Sequence, residues 1–119
     1  SNTHATLLAA DGTVPADPAR AVAFAIVRAA PGEEEILLIA VLPTERRRGL
    51  GRQIIARLAE EAKQRGSEKL FLEMRENNPA RSLYEAMGFS PIGRRKDYYS
   101  LGDGTRMDAI TFGLVLDVT

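Results

Sequence analysis

The chain has 119 residues and 45% hydrophobic content, which fits one domain burying about two thirds of its unfolded surface and leaves no room for a second core. Sixteen Lys plus Arg balance sixteen Asp plus Glu, so no whole-protein field draws in nucleic acid or anionic lipid. Cysteine is absent and His4 is the single histidine, which excludes a disulfide framework and a catalytic thiol and argues against a metal centre.

Thr3 to Ala10 reads as a short strand, followed by a turn at Asp11-Gly12 and an irregular connection through Pro15 and Pro18. Arg20 to Ala30 alternates, with Val22, Phe24 and Ile26 on one face and small residues on the other. Pro31-Gly32 closes a hairpin, and the continuous apolar stretch Ile36 to Val41 predicts a central strand covered on both faces and ended by Pro43. Beyond Pro43 the period changes from two to about 3.6. Leu50, Ile54, Leu58 and Ala62 form one stripe of an amphipathic helix that Gly66 stops. Leu70, Leu72 and Met74 give one face of the next strand, with Phe71, Glu73 and Arg75 on the other. Asn78 as cap and Pro79 at the first position announce a second helix, ended by Gly88. Phe89 to Tyr99 and Arg106 to Val118 complete the chain as two strands, the last burying Ile110, Phe112, Leu114 and Leu116. The longest apolar runs are far short of a membrane span and the N-terminus lacks the layout of a secretion signal, so the expectation is a soluble, cytoplasmic protein.

Charge is unevenly placed along this layout. Through Glu45 there are two basic and six acidic residues, and from Arg46 onward fourteen basic and ten acidic. Any anion should therefore meet the second part. Arg46-Arg47-Arg48-Gly49-Leu50-Gly51-Arg52 sits between the apolar strand and the amphipathic helix, where a helix N-terminus offers unpaired N–H groups and the positive end of its dipole. Gly49 and Gly51 let an anion approach those amides, and the arginines add charge, so a pyrophosphate fits here. The run is not a P-loop, since the Gly-Lys-Ser/Thr ending is missing, nor a dinucleotide fingerprint, since Ile54 takes the place of the third glycine.

With Arg46, Gly49 and Gly51 opening a helix after a central strand, the sequence resembles the GNAT superfamily of acyl-CoA-dependent N-acetyltransferases. Leu72 to Asn78, Leu83 to Phe89 and Gly93 to Tyr99 are similar to the RimI-type branch, the ribosomal-protein-alanine N-acetyltransferases; the resemblance covers about Arg20 to Leu116. It implies an α+β fold: a mixed, mostly antiparallel sheet flanked by helices. The chain begins at what would be the family's second strand, so the opening strand and two helices, part of the acceptor wall, are missing. Truncation or a partner that supplies the wall would account for this. Leu42 also stands where the family commonly has an acidic residue.

Residue by residue, the resemblance implies pantetheine pairing along the backbone of Ile39, Ala40 and Val41, and acetyl-CoA pyrophosphate held by Arg46, Arg47, Arg48, Gly49, Leu50, Gly51 and Arg52. It implies Glu73 as base and Tyr84 as acid. A cofactor-contacting asparagine falls on Asn78 when counted from Glu73 and on Asn77 when counted from Tyr84, and both are carried.

Acetyl transfer needs a neutral amine and a proton for the leaving thiolate. An α-amino group with pKa of about 7.7 to 8.0 is already partly neutral at pH 7, whereas a lysine near 10.4 must lose its proton at a cost of about 4.6 kcal/mol. One carboxylate therefore suits a protein N-terminus, such as a ribosomal one, better than lysine. The expected function is direct acetyl transfer to such an amine in a ternary complex. The alternatives are a small-molecule amine or lysine acceptor, and a non-catalytic acyl-CoA-binding subunit. Tyr98 and Tyr99 read either as strand packing or as shaping the acceptor groove, and Arg94, Arg95 and Lys96 as a solvated basic edge. Neutral net charge and the lack of aromatics around the arginine cluster argue against nucleic acid as a partner, and a homodimer is allowed.

Overall fold

The structure, a computed structural model, describes residues 2–46 and 48–117. Six strands form one sheet in the order β1-β2-β3-β4-β6-β5: β1 (Thr3–Leu8), β2 (Ala23–Ala30), β3 (Glu33–Val41), β4 (Lys69–Arg75), β5 (Ser90–Ser100) and β6 (Arg106–Val115). Two α-helices accompany them, α1 (Leu50–Gln64) between β3 and β4 and α2 (Arg81–Ala86) between β4 and β5. Every neighbouring pair is antiparallel except β3 and β4. Those two run parallel because α1 carries the chain back across the sheet. The expected α+β architecture with a mostly antiparallel sheet is the one observed.

The 3.6-residue stripe dictates how α1 lies. Leu50, Ile54, Ile55, Leu58 and Ala62 are all buried and share one core with Leu8, Ala23, Ala25, Val27, Ile36, Leu70 and Phe112. Each fully buried Leu or Ile contributes about 1.5 to 3 kcal/mol. At the helix C-terminus the Gly66 and Ser67 N–H groups donate to the Lys63 and Ala62 carbonyls at 2.9 Å each, so the stop falls where glycine was expected. No helix is long and apolar enough to cross a membrane among the described residues.

The predicted alternation of β2 is observed, and the face that is buried is that of Ala23, Ala25 and Val27, with Phe24 39% exposed. The helix lies over the small face because small side chains let it approach the sheet. Three local expectations need correction. In β3, Leu37 and Leu38 are about half exposed, so the strand is not covered on both faces; α1 covers one, and β3 carries one extra residue, Leu37, opposite the Ile26–Val27 step of β2, which locally breaks its alternation. Helix α2 begins at Arg81, later than Asn78-Pro79 implied. The Asn78 side-chain oxygen caps the preceding turn by accepting from the Ala80 N–H at 2.8 Å. Finally, β6 ends at Val115, and buried Leu116 donates its N–H to the Glu68 carbonyl at 2.8 Å; Leu114 is only partly buried, and Val118 lies outside the described residues.

Candidate active site

The parallel pair at the middle of the sheet creates the site. Strands β3 and β4 are in register only from Glu33 to Glu35 against Lys69 to Phe71. Beyond that they part, and the edge of β3 from Ile36 to Val41 has no partner on the β4 side. A cleft of about 570 Å³ opens in the gap, lined by Ile39, Ala40 and Val41 on the strand and by Arg46, Gly49, Leu50, Gly51 and Arg52 at the start of α1. Eight of the expected cofactor residues thus share one wall. Arg48 does not line it but pairs with Glu45 at 3.3 Å, and Arg47 lies outside the described residues.

Gly49 is the N-cap of α1 with φ of 77°, a left-handed conformation, and among the described residues no side chain caps the helix. The first-turn amides are therefore left for an external acceptor, at the positive end of the dipole. Gly51 has a different reason to be glycine. A Cβ there would meet Leu83 Cδ2 of α2 at 3.0 Å, so its missing side chain lets the two helices approach. The sequence reading missed Glu45, Ile55, Ala80 and Leu83, which also line the cleft. Leu83, one residue before the chosen Tyr84, was the nearest available signal.

Tyr84 also lines this cleft. It is 8% exposed, its ring meets Phe89 edge-on at 5.5 Å, and burial pushes its hydroxyl pKa up. The phenol therefore holds its proton at neutral pH and is available as a donor. Glu73, on β4, lines a second cleft of about 500 Å³ with Met74, Arg75, Asn77, Asn78, Pro79 and Tyr99. Its Oε2 pairs with Arg95 Nε at 3.1 Å, and that guanidinium lies over the Tyr98 ring at 5.0 Å. Asn77 and Asn78 thus sit with Glu73, not in the cleft that holds the glycine turn. Arg94 and Arg95 are exposed, as a solvated edge requires, and Arg94 also pairs with Glu76 and Asp108. Their partners are far away in sequence, so spacing alone could not reveal them.

The sequence profile of the Acetyltransferase (GNAT) family matches residues 3–89. The chain belongs to this family. Among curated relatives, the [ribosomal protein bS18]-alanine N-acetyltransferase of Haemophilus influenzae is 37% identical over 80% of this chain and 65% of its own length. The chain thus spans just under two thirds of that relative. The crystal structure of the ribosomal-protein-S18-alanine N-acetyltransferase from Escherichia coli superposes with a TM-score of 0.75 at 39% identity, covering 84% of this chain and 64% of that one. A Bacillus anthracis protein of the streptothricin acetyltransferase type, solved with acetyl coenzyme A, gives a TM-score of 0.74 at 26% identity, over 82% of this chain and 57% of that one.

Proposed function

We propose that this chain carries the catalytic core of an acetyl-CoA-dependent N-acetyltransferase that modifies a protein N-terminal α-amino group, of the ribosomal-protein-alanine type. The observation that carries the reading is the single cleft joining an open strand edge, an uncapped left-handed helix start and a buried protonated tyrosine. In that reading the pyrophosphate rests on the first-turn amides of α1, with Arg46 and Arg52 adding charge. The pantetheine amides pair with the β3 edge at Ile39 to Val41, whereas Asn77 and Asn78 line the Glu73 cleft.

The chemistry follows from the same residues. An α-ammonium loses its proton to solvent at pH 7 at a cost of about 1 kcal/mol, with Glu73 relaying it directly or through water. The amine nitrogen then attacks the thioester carbonyl; as the carbon–sulfur bond breaks, the nitrogen sheds its second proton to Glu73 or water, and Tyr84 protonates the departing thiolate and regains its own proton from solvent. The names of the relatives support an N-terminal alanine as acceptor.

Peptides that differ only at the first residue, incubated with acetyl-CoA and scored for thiol release and added acetyl mass, test this. Transfer to an alanine-starting peptide is expected, and Glu73→Gln should lower kcat by about 10²- to 10⁴-fold, the usual weight of a general base, with acetyl-CoA affinity unchanged. Transfer only to lysine or small amines would replace the acceptor assignment. Acetyl-CoA binding without transfer to any amine would leave an acyl-CoA-binding subunit.

A further inference from the structure

Strand β5 leaves its register with β6 between Arg95 and Tyr99. Arg95 faces Ala109 and Tyr99 faces Met107, so β5 carries extra chain in a bulge that re-aims the side chains following it. Within the bulge Asp97 has φ of 54°, the one positive value outside glycine among the described residues. Aspartate tolerates that conformation better than most residues, but a backbone N–H lifted out of the ladder still needs an acceptor.

Asp108 supplies it, and more. Its Oδ1 accepts from the Asp97 N–H at 2.9 Å, and its Oδ2 accepts from Arg94 Nη1, which also donates to Glu76. Its backbone carbonyl accepts from the Glu76 N–H at 3.1 Å. One residue of β6 thus ties together the β5 bulge, Arg94 and the turn after β4. The Asp97 N–H first, and Arg94 second, hold the Asp108 carboxyl below the usual aspartate range, so it stays ionised across neutral pH.

The three tied segments surround Glu73. The bulge delivers Tyr98 and Tyr99, whose rings meet edge-on at 5.2 Å. Tyr98 lies against Arg95, the partner of Glu73, and Tyr99 lies against Arg75 at 5.4 Å. On the opposite side, Glu76 leads directly into Asn77 and Asn78, which line the same cleft as Glu73 and Tyr99.

We propose that Asp108 is the positioning residue of the acceptor side: it fixes the β5 bulge so that Tyr99, backed by Tyr98, walls the cleft where a peptide N-terminus meets Glu73. This rests on reading the Glu73 cleft as the acceptor site. Asp108 lines neither the donor cleft nor the Glu73 cleft, and it acts on the acceptor in two ways. It holds the wall in place through Asp97, and it cancels one positive charge, Arg94, beside the path of an incoming ammonium.

Two variants separate these effects. Asp108→Asn keeps an oxygen for the Asp97 N–H but loses the charge; Asp108→Ala loses both. Acceptor KM should rise about threefold in Asp108→Asn, a rise that added salt reduces, and about tenfold or more in Asp108→Ala, with acetyl-CoA KM unchanged in both. Tyr98–Tyr99 ring contacts in NMR spectra, readable in a chain without tryptophan, should persist in Asp108→Asn and vanish in Asp108→Ala; this arm needs no acceptor. Unchanged acceptor KM, equal rises in both KM values, or intact ring contacts in Asp108→Ala would overturn the proposal. If Glu73→Gln retains full turnover the base assignment fails on its own, whereas its loss beside normal Asp108 variants removes only Asp108.

Discussion

Glu34 carries a carboxylate into the core with no exposed surface, and three donors meet it there. Arg65 reaches its two oxygens through Nε at 3.0 Å and Nη2 at 2.7 Å, and Ser67 Oγ donates at 2.6 Å. These bonds fasten the start of β3 to the end of α1, the hinge from which β3 and β4 part. The Arg65 hydrogen bonds outweigh the burial that opposes them, and with help from Ser67 they hold the Glu34 carboxyl below the ordinary glutamate range. A folded-state pKa below the unfolded one adds stability that is fully present above the unfolded value of about 4.3 and is lost as the pH falls through the folded value. Glu34→Gln should therefore cost about 2 to 3 kcal/mol at pH 7, toward the lower end for a broken buried pair because Arg65 still reaches water. Ser67→Ala should cost about 1 kcal/mol. Urea unfolding of the wild type and Glu34→Gln at pH 7 and again below pH 4 checks this; a gap that does not shrink in acid would mean the ion pair is not its source.

The two glycines at the head of α1 make opposite predictions although one residue separates them. Gly49 adopts a left-handed φ with open space where a Cβ would go, so Gly49→Ala should lose about 1 to 2 kcal/mol to backbone strain alone. Gly51 lies inside the helix, where alanine gains up to about 1 kcal/mol in propensity and pushes only on the flexible end of Leu83. Gly51→Ala should therefore be near neutral in thermal unfolding while narrowing the cleft that Leu83 lines. Gly49→Glu adds a negative charge at the phosphate position and should weaken acetyl-CoA by at least about tenfold in calorimetry. Much of this element was legible: Leu50, Ile54, Leu58 and Ala62 fixed the helix and its buried side, and the strand, glycine pair and helix start located the cleft. What stayed hidden depends on distant partners. Glu34 meets residues 31 and 33 positions away, and no local period marks a carboxylate as buried. Arg95 reaches Glu73 across the sheet from 22 positions away, which alternation cannot foresee. The buried face of β2 was equally hidden, since in an isolated strand the large side chains look like the core.

At the scale of the whole molecule, the strand order places its one parallel pair between two well-tied halves. Strand β2 pairs with β3 throughout from Ala23 to Ala30, and β4 pairs with β6 throughout from Lys69 to Arg75. Between the halves only the three register positions of β3 and β4 hold, so the sheet can accept further backbone pairing at this opening. A ligand that pairs with the β3 edge and also rests on the α1 start bridges elements that the sheet leaves apart, and it stabilises the folded state by mass action. Acetyl-CoA at about 100 times its Kd should add about 2.7 kcal/mol, a rise of about 10 °C in the melting temperature for a chain of this length. The two binding elements can be told apart by fragments and by salt. Pyrophosphate alone should give a small rise that disappears at high ionic strength, because surface charge is screened. Pantetheine alone should give a small rise that salt leaves in place, because amide pairing is not. The intact donor should exceed both together, since its linkage brings the second contact at high effective concentration. If pyrophosphate alone reproduces the full rise, the arginine-rich turn is a plain anion site and the open β3 edge takes no part; if acetyl-CoA gives no rise, the parted strands are not a donor cleft.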